Sequence, residues 1–344
     1  MSIAAGSVME WTQEYTAHDA GIDREHQVLF GLVDRLHQAM LKGQGTEVLG
    51  MLLAELTKFV GNHFANEEKI MAAMRYPEML AHVQQHDQIR RRMEGVAARF
   101  ERGETAITIE LMLFLSDWLR NHTMVTDRRL GDYIQVERKF TAYVERLLSG
   151  DHRGCRVIVQ DLLAEEISFR DLYVGLFQRA MYRTGELWMM NKISVATEHL
   201  ATTITLSMMA LVHPTTLLNS PRNGKRAVVT CVGSELHQLG AQMVSDTFEF
   251  LGWDSFFLGG NTPVESLLEL LGEKHPEVLC LSVSLSRHIA RFKETVKKTR
   301  SRFPGLEILA GGQAFGQGGA EVNGDPQVRY LRSLDELEAW IANC

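Results

Sequence analysis

Cysteine is scarce and scattered. The 344 residues hold four (Cys155, Cys231, Cys280 and Cys344), none in a C-x-x-C pair. Neither a disulfide framework nor a thiolate zinc or iron–sulfur site is suggested. No apolar run reaches the roughly 18 residues a membrane span needs. The best candidate, Leu111–Ser116, is bracketed by Glu110 and Asp117, so no membrane partner is expected. The first residues lack a basic stretch followed by a long apolar core, so no secretory signal is read and a cytoplasmic location is the expectation. Positive charge is in deficit: 36 Lys+Arg against 43 Asp+Glu leave a net charge of −7. That argues against nucleic acid as a partner gripped through its phosphates. Internal repeats, low-complexity tracts, kinase, cyclase or phosphatase motifs and a helix-turn-helix are all missing. What remains, 45% hydrophobic and 23% charged, is ordinary globular composition. At roughly 100–200 residues per domain, two or three domains are expected.

Three zones follow along the chain. Residues 24 to about 131 carry four stretches with apolar spacing i, i+3, i+4, i+7, broken at Gly43–Gly45, Tyr76–Pro77 and Arg102–Gly103. Short breaks between long helices predict an all-α antiparallel four-helix bundle. From Val136 to Leu218 the pattern is again helical, with breaks at Ser149–Gly150 and Asn191–Lys192. Pro214 and the stretch from Ser220 to Gly224 read as the way out of this second helical bundle. Beyond Lys225, five short β-rich runs (226–232, 253–258, 278–284, 306–310, 328–331) alternate with helical segments (236–251, 264–273, 287–303, 333–342). That alternation predicts an α/β doubly wound five-stranded parallel sheet, whose ligands bind beyond the carboxyl ends of the strands. The expected domains of this multidomain chain are 9–135, 138–220 and 225–344.

Thirteen histidines are the informative abundance. The first helix carries His26, and the second His63 and Glu67, four apart. The third carries His82 and His86, also four apart, and the fourth His122 and Asp127, five apart. A spacing of four places two side chains on one helix face. A spacing of five does not, so a local widening of the fourth helix, or a long reach by Asp127, is expected. Imidazole with carboxylate suits iron, manganese or zinc. Five imidazoles, two bridging carboxylates and one shared oxygen bridge fill all but one position on two six-coordinate ions. The open position suits a diatomic ligand. The ferritin-like alternative needs Glu-x-x-His pairs, and no Glu lies three residues before any His. His18, His37 and His152 read as solvated or capping residues.

Residues 9–135 resemble the bacterial hemerythrins, through Ile22-Asp23-Arg24-Glu25-His26-Gln27, His63-Phe-Ala-Asn-Glu67-Glu68, His82-x-x-x-His86 and Trp118-Leu-x-x-His122-x-x-x-x-Asp127. The resemblance implies two non-heme iron ions, oxo- or hydroxo-bridged, with O2 or another diatomic as ligand. It implies that His82, His86 and His122 hold the saturated iron, and His26 and His63 the iron with the open position. Arg24, Glu25 and Gln27 read as solvated helix-face residues.

Directly after the first β-run comes Glu235-x-His237-x-x-Gly240. A histidine on that loop can reach a ligand over the sheet edge, and Gly240 lets a bulky group approach the backbone. Ser282-Val283-Ser284 ends the third run and Gly311-Gly312 follows the fourth. Together these resemble the cobalamin-binding fold, with its Asp-x-His-x-x-Gly, Ser-x-Leu and Gly-Gly pattern. The resemblance implies His237 as lower cobalt ligand, Glu235 as its partner, and Ser282, Gly311 and Gly312 lining the slot for the cofactor's tail. Glu235 replaces the usual Asp, which keeps a carboxylate able to orient the imidazole. Ser284 stands where Leu is usual, which changes the packing of the tail.

Residues 143–213 resemble the helical cap that covers the corrin's upper face. Trp188, followed after nine residues by Glu198-His199, resembles the cap of adenosylcobalamin-dependent light sensors. That implies Trp188 against the adenosyl group and Glu198 with His199 near the upper axial face. Where some light-sensing relatives carry a second histidine, this chain has Met189, so a bis-histidine photoproduct would require His199. Met190 reads as apolar filler.

The expectation is a photoreceptor for signal transduction: an adenosylcobalamin light sensor joined to an O2- or redox-responsive di-iron domain, and not itself an enzyme. Output would pass through shape, homo-oligomerisation or a protein partner. The connection near Gln135–Phe140 is read as a short link through which either cofactor's state biases the other. The basic run Arg287–Arg302 reads as a solvated helix face. The alternative is a corrinoid methyl carrier of a methyltransferase system, with the hemerythrin part guarding or sensing against O2.

Overall fold

The computed structural model describes residues 9–104, 106–217, 221–316 and 328–344. It divides into two units: Met1–Ala142 with Gln160–Asp171, and Tyr143–Val159 with Leu172–Cys344. The expected sequence of helical bundle, further helices and parallel sheet is what the structure has.

In the first unit, α1 (Ala20–Leu41), α2 (Thr46–Met74), α3 (Met79–Glu101) and α4 (Ile109–Asn121) form the bundle. Asp19 caps α1 by accepting from the Gly21 and Ile22 amides, and Thr108 caps α4 by accepting from Leu111. Each cap satisfies donors that the first helical turn leaves open. The π-helical turn His122–Asp127 follows α4 and leads into α5 (Arg128–Ser149). Residues 135–140 are therefore helix interior, and the short link read there does not exist.

Two apolar clusters fill the bundle. One joins Leu29, Phe30, Val60, Phe64, Ile89, Met93, Leu115 and Leu119. The other joins Ala17, Ile22, Met71, Tyr76, Leu130 and Ile134. On every helix the predicted donors fall between members of the two clusters: His26 between Ile22 and Leu29, and His63 and Glu67 between Val60 and Met71. Likewise His82 and His86 lie between Tyr76 and Ile89, and His122 and Asp127 between Leu119 and Leu130. The fold thus sandwiches a polar layer between two dry ones.

His18 is not solvated. Its Nδ1 donates to Asp132 Oδ1 at 2.7 Å, and the Gln135 amide donates to its carbonyl. Asp132 Oδ2 accepts from the Ser168 amide at 3.3 Å, while Arg170 pairs with Glu78 at 3.4 Å. The segment that supplies Ser168 follows α6 (His152–Ala164), where Glu166 takes a left-handed φ of 55°. Periodicity did not show that break.

The second unit carries the π-helical turn Asp171–Gln178, α7 (Arg179–Met189) and α8 (Val195–Leu217). The second helical zone runs on past Pro214, which lies inside α8, whereas Leu218 and Ser220 lie outside the described residues. Among the described residues, Val195–His213 is the one helix long and apolar enough to cross a membrane by length and composition, displacing Leu111–Ser116 as the best candidate. It buries Ala201, Ile204, Met208, Met209 and Val212 inside the unit.

The sheet comprises β1 (Arg226–Cys231), β2 (Asp254–Phe257), β3 (Val278–Ser282), β4 (Glu307–Gly311) and β5 (Val328–Tyr330), all parallel, in the order β2-β1-β3-β4-β5. The connecting helices are α9 (Leu239–Phe250), α10 (Val264–Lys274) and α11 (Ile289–Arg302), with α12 (Leu334–Ala342) closing the chain. Strand order reverses between β1 and β3, which opens a crevice beyond their carboxyl ends. The loops leaving those two strands carry Glu235–His237 and Ser284–His288.

Asp246 on α9 is buried, accepting from Tyr173 Oη at 2.7 Å, with His213 Nε2 at 3.6 Å. Burial pushes its carboxyl up to about 6 from 3.8, against the opposing pull of Tyr173 and His213. A carboxyl raised by folding stabilises fully below its unfolded value, and that contribution is lost as pH rises through about 6. The difference amounts to about 3 kcal/mol. Urea midpoints at pH 4 and pH 7.5 are expected to show Asp246→Asn losing less stability over this interval than the parent chain. Equal losses would refute the account.

Candidate metal and corrinoid sites

All seven predicted bundle donors are buried and converge. Glu67, His82, His86, His122 and Asp127 bring donor atoms within 4.8 Å of one another, and so do His26, His63, Glu67 and Asp127. The two carboxylates are common to both groups. Asp127 lies 3.0 Å from His26 Nε2, 3.2 Å from His82 Nε2 and 3.1 Å from His122 Nε2. Glu67 lies 3.1 Å from His86 Nε2 and 3.6 Å from both His63 Nε2 and His82 Nε2. Two donors about 2.1 Å from one ion at right angles stand about 3.0 Å apart, so the spacing suits cis ligands of a transition metal.

The hydrogen bonding fits as well. Both oxygens of Glu67 and of Asp127, and the Nε2 atoms of His26, His82, His86 and His122, are buried without a hydrogen-bond partner. Orphaned polar atoms at that density cost several kcal/mol unless a cation takes their lone pairs. Charge is divided unevenly among the imidazoles. Burial drives His122 down to about 4, while the facing Asp127 and Glu67 carboxylates, 3.2 and 3.6 Å from His82 Nε2, overcome burial and lift His82 to about 9. The π-helical turn His122–Asp127 is the widening that the five-residue spacing demands.

An outer layer steadies the donors. His63 Nδ1 donates to Glu25 at 2.8 Å and His86 Nδ1 donates to Glu68 at 3.1 Å. Phe64 stacks on His86 at 3.9 Å and Trp118 on His122 at 4.8 Å. Arg24 and Gln27 are exposed as expected, but Glu25 is half-buried, held by His63 and Asn66. Its place three residues after Ile22 and four before Leu29, at the edge of the buried stripe of α1, was the available signal.

In the second unit Glu235 is fully buried and accepts five hydrogen bonds. One oxygen takes the backbone amide of His237 at 3.0 Å and its Nδ1 at 2.5 Å. The other takes the amides of Ser284 and Leu285 at 3.0 and 3.1 Å and His288 Nδ1 at 2.9 Å. Burial raises its carboxyl, but these bonds prevail and hold it well below the usual carboxylate range. In return Glu235 raises His237, and the Glu198 carboxylate adds to that. With Nδ1 engaged, Nε2 is the open nitrogen of an imidazole whose side chain is 54% exposed. His288, missed by the motif reading, stands six residues after Ser282 and clamps the carboxylate from the β3 side.

The hemerythrin HHE cation binding domain family matches residues 18–134, and two families described as B12 binding domain match residues 140–212 and 225–328. The bacteriohemerythrin of Methylococcus capsulatus is 29% identical over 126 residues, 36% of this chain and 95% of that protein. The bacteriohemerythrin of Stenotrophomonas maltophilia is 30% identical over 148 residues, 43% of this chain and 94% of that protein. The chain belongs to the hemerythrin family. Its hemerythrin domain is fused to B12-binding domains. The monomethylamine corrinoid protein of Methanosarcina barkeri matches with a TM-score of 0.54 at 13% identity, covering 60% of this chain and 99% of that one, a likeness of fold.

Within this hemerythrin–corrinoid chain the glycines of the sheet edge differ in kind. Gly312 has φ +110°, and a Cβ there would lie 2.3 Å from the Val283 carbonyl, so the turn itself requires glycine. A Cβ on Gly311 would meet nothing nearer than 3.5 Å, and one on Gly240 nothing within 4 Å, so neither glycine is demanded by the chain's own packing. Ser282 ends β3, and the amide of Ser284 serves Glu235. In the helices that precede the sheet, Trp188, Met189 and Met190 are exposed at the end of α7. Glu198 accepts from Thr202 at 2.9 Å, and His199 is exposed.

Proposed function

We propose that this hemerythrin-family protein is an adenosylcobalamin light sensor with a second input, O2 or redox state, at a di-iron pair. The observation that carries the corrinoid half is a set of large apolar side chains left uncovered at the end of α7 and on the loop after β1: Trp188, Met189, Met190 and Leu236 are 44, 69, 58 and 73% exposed. A ligand with a broad apolar face accounts for such exposure, and an adenosyl group covers a tryptophan where a methyl group would not. His237 would hold cobalt through Nε2, with Glu235 fixing the ring. Ser282, Ser284, Gly240, Gly311 and Gly312 would border the tail, and Trp188, Met189, Glu198 and His199 the upper side. His26, His63, Glu67, His82, His86, His122 and Asp127 would hold the irons. The iron pair supplies reversible O2 binding, and adenosylcobalamin a cobalt–carbon bond that light cleaves. Within the chain, the five-bonded Glu235 keeps the His237 ring from swinging away, and the two apolar clusters keep water from the bundle's donors.

A second reading, a methyl-carrying corrinoid protein serving a separate methyltransferase, is favoured by the fold shared with the monomethylamine corrinoid protein. Absorption spectra of the chain loaded with iron and adenosylcobalamin, taken in the dark and after green light, separate the two. The sensor predicts a persistent shift of the cobalamin bands beside oxo-bridged di-iron bands, with a change in sedimentation if output is oligomeric. Unresponsive bands, or binding of methylcobalamin alone, would transfer the assignment to the carrier.

A further inference from the structure

Each donor group in the bundle has one imidazole backed by a carboxylate, and the two carboxylates are not equivalent. Glu25 backs His63, in the group of four protein donors, and Glu68 backs His86, in the group of five. Their side chains are 31% and 28% exposed, so water screens them alike. Glu68 is partly offset, because Arg90 donates to the same oxygen at 3.0 Å while its other nitrogen donates to Asp87 at 2.6 Å. The other oxygen of Glu25 accepts only from the uncharged Asn66 amide at 2.8 Å, and among the described residues no lysine or arginine pairs with it. His26 and His82 have no partner on Nδ1, and the nearest group to His122 Nδ1 is the neutral Gln85, at 3.4 Å. The difference is at the backing oxygen itself: among the described residues Glu25 backs its imidazole with no cation on it, beside the group that lacks a fifth protein donor, whereas the oxygen of Glu68 that backs His86 also holds Arg90.

Resting on the hemerythrin reading of these donors, we propose that Glu25 is a positioning residue that makes the four-donor iron the more electron-rich of the two. An anionic acceptor on Nδ1–H makes an imidazole a stronger donor, and a fixed negative charge favours the ferric over the ferrous ion. The ion with room for an outside ligand is thereby the one that gives up an electron more readily. Arg90 weakens the same bias at the five-donor ion.

The test is a mediated redox titration of the iron-loaded full chain, each step being one electron exchanged with the mediator, with iron content measured alongside. Glu25→Gln keeps an oxygen to accept from His63 and removes only the charge. It is expected to raise the ferrous-to-ferric ratio of one iron at least tenfold at fixed potential, about 59 mV for one electron. Azide, as probe of the open ferric position, is expected to bind more tightly to the same variant. Arg90→Gln unmasks Glu68 and is expected to lower the potential of the other iron, which keeps the test decisive should Glu25→Gln fold poorly. Full iron loading with both steps unmoved in Glu25→Gln, or unmoved in Arg90→Gln, overturns the proposal. Failure of the parent chain to bind two irons overturns instead the reading on which it rests.

Discussion

Replacing Asp127 with alanine is expected to abolish the iron pair. Its two oxygens face the Nε2 atoms of His26, His82 and His122 at 3.0–3.2 Å, so it belongs to both donor groups at once. Loss of a partner outside the donor layer typically weakens metal binding by 10–100-fold, and losing a carboxylate common to both donor groups would exceed that. Three buried imidazoles would also be left without the anion they face. Iron per chain and the charge-transfer bands of the oxidised protein report the outcome. A variant that retained both irons and those bands would remove Asp127 from the donor set.

The second large effect is expected at Gly131. An added Cβ would stand 1.4 Å from the carbonyl oxygen of Ala17, so backbone has to move. The segment it would push carries the His18–Asp132 bond of 2.7 Å and the Asp19 cap of α1. Gly131→Ala is therefore expected to cost about 3 kcal/mol or more, the upper end of overpacking penalties. In a unit of this size that lowers the melting temperature by about 10 °C. Gly61→Ala and Gly95→Ala, where nothing lies within 4 Å of the new methyl, serve as controls and are expected to be neutral or stabilising by up to ~1 kcal/mol. A Gly131→Ala chain melting with its parent would refute the close approach.

The convergence of the bundle's histidines and carboxylates was legible because helix geometry dictates their spacing. Two side chains on one helix face must be three or four apart, and the five-residue interval His122–Asp127 announced a π-helical turn. Strand–helix alternation in the last zone was legible for the same reason, since buried parallel strands are short and apolar. What sequence pattern did not show are pairings across the fold. Glu25 reads as a polar helix residue until α2 brings His63 to it. His288 reads as part of a basic run until the β1 and β3 loops meet at Glu235, and His18 until α5 presents Asp132. The break after α6 escaped because no glycine or proline marks it. Instead Glu166 takes the left-handed conformation, and its amide and that of Ile167 donate back to the Leu163 and Leu162 carbonyls to close α6.

The chain passes between its two compact units three times, after Ala142, Val159 and Asp171. The hemerythrin bundle is accordingly not a cassette that recombination can exchange by joining coding segments within one helix. A fragment ending at Ala142 contains all seven converging donors yet leaves Asp132, Glu78 and Lys139 without Ser168, Arg170 and Glu165. Grafting this bundle onto another chain would have to carry residues 160–171 with it, and a swap that ignored them would transplant the donor layer without its footing.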